Sequence, residues 1–371
     1  MDKKRRTFLL AGASCLAAGG AAYAGIGGRE VFGAAPAGER LERIRRSPHY
    51  RDGMFRNLVD VPDMTSSKSG AEVMLDFLLD RTAGYKPSKA VPSMKADLSQ
   101  LPEGKLVWLG HSGFYLHAGG LSMAVDPALG RASPVPFTFE PFPGADRYRA
   151  ADIPPLDVLF ITHDHYDHLD CSTAAALASR VKRVVCPLGV GADFELWGYP
   201  AEKITELDWG EEAAISPRAK ATLVPSQHFS GRLKRNYTLW GGFVLEIDGR
   251  VLYISGDGGY GPHFKSIAQR WPRIDFAILE DGQYSPDWST IHLMPADWRR
   301  ALEELGPAAV MACHNSKYDL SRHLWIDPLN AAFASAKTVG IPLAAPEIGE
   351  ALTWTSPEAA LLNRRWWPEK P

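Results

Sequence analysis

"ITHDHYDHLD", Ile161–Asp170, is the stretch that decides how this chain is read. His163, His165, Asp167 and His168 crowd into it, in a chain with only 11 histidines. The apolar run Val158–Ile161 has the length and composition of a strand. Thr162–His168 reads as the loop leaving it, and Ser172 onward as a helix with Asp170 or Ser172 as N-cap. Alternate side chains of an extended segment point the same way, so His163 and His165 project together and can grip one cation. Asp167 and His168 follow where the chain turns and can face a second. Imidazole suits zinc, iron or manganese, and a carboxylate adds hard character. The cluster supplies only part of two coordination spheres, so further donors must come from elsewhere.

Working outward, short apolar runs recur on both sides: Leu106–Leu109, Leu121–Val125, Ala221–Val224, Phe243–Ile247, Val251–Ile254, Phe276–Leu279 and Ala308–Met311, with Val181–Val185 interrupted by Lys182 and Arg183. Each predicts a strand. Three are followed by a donor: His228 after Ala221–Val224, Asp257 after Val251–Ile254, and His314 after Ala308–Met311. Taken singly, a histidine after a strand is more often a hydrogen-bonded structural residue, and Asp257 before two glycines is a turn residue. Beside the 163–168 cluster the balance changes, because two incomplete spheres need filling, and the same three residues become candidate donors. Helices are expected at Glu39–Arg46, Gly70–Leu79, Ser172–Arg180, His263–Arg270, Pro295–Leu305 and Pro328–Thr338, with Pro295 and Pro328 in first turns and Asp327 as a cap. Hairpins come first and then strands alternate with helices, which predicts a mixed α/β layered fold. No repeat is visible in the motifs, though a twofold repeat of strand order could be hidden beneath them.

The 371 residues include 28 prolines, 34 glycines and 11 tryptophans, a composition of loops and short strands rather than a helical bundle. A formal net charge of −2 gives no global electrostatic case for nucleic acid as a partner. Cys15, Cys171, Cys186 and Cys313 are scattered without a CxxC spacing, so neither a disulfide framework nor a cysteine zinc site follows. Lys3–Arg6 precede a small-residue apolar run to about Gly27, with Ala22-Tyr23-Ala24 as a cleavage site. Arg5-Arg6 before Thr7-Phe8-Leu9 resembles a twin-arginine signal, so an exported, periplasmic protein is expected. A basic tail before a core helix is the alternative. Gly12 argues against a lipoprotein signal at Cys15. The expected organisation is a signal segment over 1–24, an N-terminal extension over 25–100, the main domain over 101–350 and a tail over 351–371.

"THDHYDHLD" resembles the H-x-H-x-D-H signature of the metallo-β-lactamase superfamily, and the later His228, Asp257 and His314 fall in that superfamily's order. "VWLGHSGFYLHAGG" (Val107–Gly120), "DPALGRASP" (Asp126–Pro134), "RNYTLWGGFVLE" (Arg235–Glu246) and "SGDGGY" (Ser255–Tyr260) are similar to the branch containing N-acylphosphatidylethanolamine-hydrolysing phospholipase D, RomA-like and ascorbate-6-phosphate lactonase-like proteins. The resemblance spans about residues 100 to 345. It implies an αββα sandwich with a dinuclear metal site, zinc the leading choice. His163, His165 and His228 would hold the first metal, Asp167, His168 and His314 the second, and Asp257 would bridge. Antibiotic-hydrolysing members lack that bridging carboxylate. Thioester-hydrolysing members carry small residues where Leu169-Asp170 stand. The resemblance thus implies hydrolysis of a phosphodiester by metal-activated water, on a phospholipid or small molecule, with phospholipase D-like action on an N-acylphosphatidylethanolamine as its sharpest form. Lactone or ester hydrolysis is the enzymatic alternative, and a metal-stabilised binding protein is the non-catalytic one. A closed site would favour that last reading. Membrane association would come through the substrate or an uncleaved signal segment.

Asp167 and His292 are the candidate catalytic residues. His292, in "STIHLMPADW", could protonate a leaving oxygen or serve structurally where the helix begins. His111 reads either as a buried structural histidine or as a partner that orients a ligand. Cys313 reads as a core residue, and Asp170 could bond back to a ligating histidine. Arg232, Lys234 and Arg235 form either a phosphate-attracting loop or a solvated basic turn. The phenylalanine-rich loop Pro134–Tyr148 reads as a substrate groove or as a strut against the N-terminal extension.

Overall fold

A strand covered on both faces must be apolar at nearly every position, whereas a half-exposed strand alternates. The continuous apolar runs therefore call for two sheets, each with helices outside and the other sheet inside. The computed structural model describes residues 28–80, 82–232, 234–355 and 364–371 and has this arrangement. The expected signal segment lies outside the described residues.

The N-terminal extension contributes helix α1 (Gly38–Arg46), the small hairpin β1 (Tyr50–Arg51) and β2 (Met54–Phe55), and α2 (Gly70–Leu79). The first half of the main domain runs β3 (Lys105–Gly110), β4 (Gly113–Ala118), β5 (Leu121–Val125), β6 (Leu156–Phe160), α3 (Cys171–Leu177), β7 (Val181–Pro187), α4 (Gly191–Leu196) and β8 (Ile204–Leu207). The second half runs β9 (Glu212–Ser216), β10 (Ala219–Val224), β11 (Gly242–Ile247), β12 (Arg250–Ile254), α5 (His263–Arg270), β13 (Phe276–Glu280), α6 (Pro295–Leu305), β14 (Val310–Cys313), α7 (Asp327–Val339) and β15 (Leu343–Ala344). Strand β16 (Ala351–Thr353) follows, in the stretch assigned to a tail from the sequence.

Two seven-stranded sheets result, ordered β16-β3-β4-β5-β6-β7-β8 and β15-β14-β13-β12-β11-β10-β9. Their pairings match step for step. From β3 to β8 there are two antiparallel joins and then three parallel ones. From β10 to β15 the series is the same. Strands β16 and β9 each add an antiparallel edge. The twofold repeat that the motifs conceal is thus present in the topology.

Along β3, Leu106 and Trp108 point into the core between the sheets, while Val107 and Leu109 point to the layer shared with Ala174, Leu177 and Phe194 of α3 and α4. The inter-sheet core also takes Phe160, Leu223, Phe243, Ile254 and Ile278. Outside the second sheet, Phe264, Trp298, Leu302 and Ala332 of α5, α6 and α7 pack on Val244, Tyr253 and Ala277. The layers are α, β, β, α. The tail residues Trp354 and Trp367 are buried in the inter-sheet core, which ties the C-terminal stretch to the fold.

Candidate metal centre

Strands β5, β6 and β7 run parallel, as do β12, β13 and β14, so within each sheet the loops after these strands leave from one edge. Strand β10 is two antiparallel joins from β12 and so ends on that edge too. His163–His168 follow β6, His228 follows β10, Asp257 follows β12 and His314 follows β14. The seven expected donors meet there. Asp257 is delivered by Gly256, whose φ of +62° and 2.5 Å approach of a would-be Cβ to the Gly241 carbonyl demand glycine.

Three nitrogens converge in one group: His163 Nε2 is 2.9 Å from His165 Nδ1, and His228 Nε2 is 3.3 Å from it. Hydrogen bonding from behind fixes these rings. His228 Nδ1 donates to the Ile291 carbonyl at 2.8 Å, which leaves a lone pair on Nε2. Thr162 Oγ1 donates to Asp126 Oδ2 at 2.6 Å and lies 3.0 Å from His163 Nδ1, which suits the same tautomer. The second group holds Asp167, His168 and His314, with His111 beside them. His168 Nδ1 sits 2.8 Å from Asp126 Oδ2, an acceptor only, so the proton is on Nδ1 and the lone pair on Nε2. That Nε2 lies 3.1 Å from Asp257 Oδ2 and 3.6 Å from Asp167 Oδ2. Asp257 reaches both groups, with Oδ1 3.1 Å from His314 Nδ1 and Oδ2 3.8 Å from His163 Nε2.

His163, His168, His228, Asp257 and His314 are each at most 3% exposed. Burial and mutual repulsion push the imidazoles of His163 and His314 well down, and burial does the same to His228, so all three are neutral and able to donate. Buried lone pairs here converge on common points. His168 Nε2 and Asp257 Oδ1 are buried without a hydrogen-bond partner among the described residues. A divalent cation fits this donor set, and the set is too rich in paired acceptors to be satisfied by protons alone.

The donors are not sealed in. His165, Asp167, His228, Asp257 and His314 line a cavity of about 520 Å³, with Phe229, Trp288, Ile291 and Leu320 as apolar walls. His292 also lines it, its ring 5.0 Å from that of His228 and 5.2 Å from that of His314. Behind it, Glu280, fully buried at the end of β13, sits 3.4 Å from His292 Nδ1. Burial pulls the His292 imidazole down, and the surrounding carboxylates, Glu280 first and then Asp257 and Asp167, together offset this for a net upward shift. The open cavity removes the condition that favoured a closed, purely structural metal site.

Several sequence expectations are corrected. Arg232 is neither a phosphate ligand nor solvated: its side chain is 2% exposed and donates to the carbonyls of Asp164, Val31 and Leu169. Lys234 lines a separate cavity, and only Arg235 of the three faces the metal pocket. Asp170 caps α3 and bonds Ser172, Thr173 and Gly130, not a histidine. Asp327 is the first residue of α7 rather than its cap. His111 touches the site, with Nε2 2.8 Å from Asp167 Oδ2. The far part of the Pro134–Tyr148 loop is a strut, since Phe142 is buried and Pro143 and Gly144 bond Val91 and Ser93. Cys313 is a buried core residue. Sequence reading missed Asp126, Glu280 and Asn57, although Asp126 ends an apolar run as His163 nearly does.

The profile of the beta-lactamase superfamily domain matches residues 123–315. The chain belongs to the beta-lactamase superfamily. An uncharacterised protein of Mycobacterium tuberculosis is 31% identical over 376 residues, covering 98% of this chain and 99% of that protein. The outer membrane protein RomA of Klebsiella pneumoniae is 47% identical over 93 residues, 25% of this chain and 70% of RomA. N-acyl-phosphatidylethanolamine-hydrolyzing phospholipase D 1 of Caenorhabditis elegans is 32% identical over 199 residues, 49% of this chain and 54% of that one. These relatives put the chain in the expected branch. Among solved structures, CmlA, a diiron beta-hydroxylase from Streptomyces venezuelae, aligns at a TM-score of 0.53 and 18% identity over 68% of this chain and 54% of CmlA. Igni18, a metallo hydrolase from Ignicoccus hospitalis, aligns at 0.51 and 21% over 67% of this chain and 97% of Igni18. Both share the fold. Family and donor set together make the chain a metal-dependent hydrolase.

Proposed function

We propose that this superfamily member is a dinuclear, zinc-dependent phosphodiesterase, with phospholipase D-like hydrolysis of an N-acylated phospholipid as its sharpest form. The observation that carries the reading is the pair of donor groups on either side of Asp257, both opening into one cavity. His163, His165 and His228 would hold one ion, Asp167, His168 and His314 the other, and Asp257 would reach both. Bound there, cations would lower the pKa of a coordinated water and offset charge growing on a phosphoryl oxygen. The chain's own residues do the rest. Asp126, Ile291 and Thr162 fix the tautomers that leave lone pairs on the donor nitrogens. His292, steadied through Nδ1 by Glu280, stands beside the donors where it can hand a proton to a leaving oxygen. Phe229, Trp288, Ile291 and Leu320 offer apolar surface to an acyl or aryl group and exclude water.

The name of the Caenorhabditis elegans relative, a phospholipase D acting on N-acyl-phosphatidylethanolamine, supports the lipid form of the proposal. A lactone or other ester would meet the same cations, and the substrate panel decides between them. Export through the Arg5-Arg6 segment is part of the proposal, supported by the basic and small-residue pattern of residues 3–27.

The test is elemental analysis of the purified chain with hydrolysis of a generic phosphodiester, a lactone and an N-acylphosphatidylethanolamine. About two metals per chain are expected, with turnover of the phosphodiesters falling at least about 100-fold in Asp257→Ala, the scale on which a lost metal partner registers. One metal or none, with all three substrates untouched, would overturn the reading.

A further inference from the structure

The N-terminal extension reaches the metal pocket and carries a carboxylate to its wall. The segment around residues 55–65 is pinned at both ends. Asn57 Nδ2 donates to the His228 carbonyl at 2.8 Å, and Asn57 Oδ1 accepts from His228 N at 3.0 Å. Thr65 N donates to the Asp287 carbonyl at 2.8 Å, and Thr290 Oγ1 donates to the Pro62 carbonyl at 2.5 Å. Between these anchors Asp63 lies on the pocket wall, 2.5 Å from Arg235 Nη2. The Arg235 guanidinium sits 3.8 Å over the Phe229 ring, and that ring packs 4.5 Å from His165. A line of contact therefore runs from the donor cluster through Phe229 to Arg235 and ends on Asp63. Among the described residues Arg235 is the only lysine or arginine lining this pocket.

We propose that Asp63 and Arg235 set the pocket's selectivity for anionic substrates: Arg235 receives a negatively charged substrate group, and Asp63 occupies that position as a competing carboxylate in the free protein. The inference rests on the hydrolase reading and names the charge class of its substrate. An exposed ion pair of this kind, with side chains 47% and 34% exposed, holds weakly and yields readily to a second anion. A guanidinium fork takes phosphate or carboxylate in the geometry it offers Asp63. Asp63 cannot follow the displaced bond away, because its segment is anchored on both sides, so its charge keeps opposing the incoming anion. The two members of the pair thus act in opposite directions on ligand binding. A purely structural ion pair would give effects of the same sign from either side.

The test is binding of dimethyl phosphate and, separately, butyrate to the full metal-loaded chain by calorimetry, for the wild type, Asp63→Asn and Arg235→Gln. Asp63→Asn is expected to tighten anion binding about 3- to 10-fold, and Arg235→Gln to weaken it about as much, the range of one partly exposed charge contact. The cations contribute to anion binding in every variant, so the ratios isolate the pair. A larger effect for dimethyl phosphate than for butyrate assigns the position to a phosphodiester, and the reverse order assigns it to a carboxylate. In turnover, the ratio of KM for an anionic diester to KM for a neutral ester should fall in Asp63→Asn and rise in Arg235→Gln. Equal or same-direction shifts in both variants would overturn the proposal. Loss of turnover on every substrate by the wild type would instead sink the hydrolase reading, while the binding arm still decides the role of the pair.

Discussion

Replacing Asp126 by asparagine should loosen the metal centre without removing a single donor. Its carboxylate is 1% exposed and accepts from three directions: Thr162 N at 2.8 Å on Oδ1, and Thr162 Oγ1 at 2.6 Å and His168 Nδ1 at 2.8 Å on Oδ2. An amide has one acceptor end and one donor end. With its oxygen toward Thr162 N, its NH₂ faces His168 Nδ1. The ring must then carry its proton on Nε2, the atom aimed at Asp257 Oδ2 from 3.1 Å. With the amide reversed, the NH₂ meets the Thr162 N–H and strands a buried donor, at a cost of about 1–3 kcal/mol. Losing a partner that orients a ligand weakens metal affinity about 10- to 100-fold, equal to about 1.4–2.8 kcal/mol. Dialysis against chelators of graded strength, followed by elemental analysis, measures this directly. Asp126→Asn should release metal at a chelator activity about 10- to 100-fold lower than the wild type does. Retention of metal on the wild-type curve, with an unchanged unfolding midpoint, would refute the tautomer argument.

Two further outcomes follow from residues outside the donor set. Asn57→Ala removes both bonds to the His228 backbone, and the buried N–H left behind should lower stability by about 1–3 kcal/mol. Urea unfolding reads the loss, and limited proteolysis should find residues 55–65 cleaved faster than in the wild type; equal cleavage would show that the anchor is not Asn57. Burial pushes the Asp193 carboxyl up to about 7, against the pull of Arg232 and the Ala34 N–H. The unfolded chain releases that proton near about pH 4. The folded state therefore binds it more tightly, and the group's contribution to stability falls as pH rises from about 4 to about 7, by at most about 4 kcal/mol. Asp193→Asn should flatten that part of the profile, so its stability relative to the wild type is higher at pH 8 than at pH 5. An unchanged slope in urea titrations would remove Asp193 as its source.

What the sequence disclosed, and what it withheld, divides by physical range. Helices α2, α5 and α6 were readable residue for residue because their caps, prolines and apolar spacing are local signals. The candidate donors could be picked out because each follows an apolar run, and strand ends at one sheet edge converge in any fold of this class. Asp126 was not, since its role depends on β5 lying parallel beside β6, which no local pattern states. Strand β4 was hidden by glycine at its start and His117 within it, and β16 by its three-residue length. Arg232 and Arg235 look alike in sequence. One is buried against carbonyls and the other faces the pocket, and only the path of the chain between them distinguishes the two. The segment carrying Asn57 and Asp63 is irregular, so nothing periodic announced it.

The donors come from two separate pieces of chain. His163, His165, Asp167 and His168 hang from the first sheet, and His228, Asp257 and His314 from the second. A cation held by both acts as a rivet across the line where the sheets meet. Phe160 and Phe243 face each other there at 5.2 Å, one from each sheet. A packing fault at that pair, which supplies no donor of its own, should surface first as leaking metal and only later as lost structure. Conversely, filling the site favours the docked arrangement by mass action and should make both halves melt together. Metal occupancy becomes a gauge of assembly: the atoms that grip the ion also register that the two sheets have closed on their shared core.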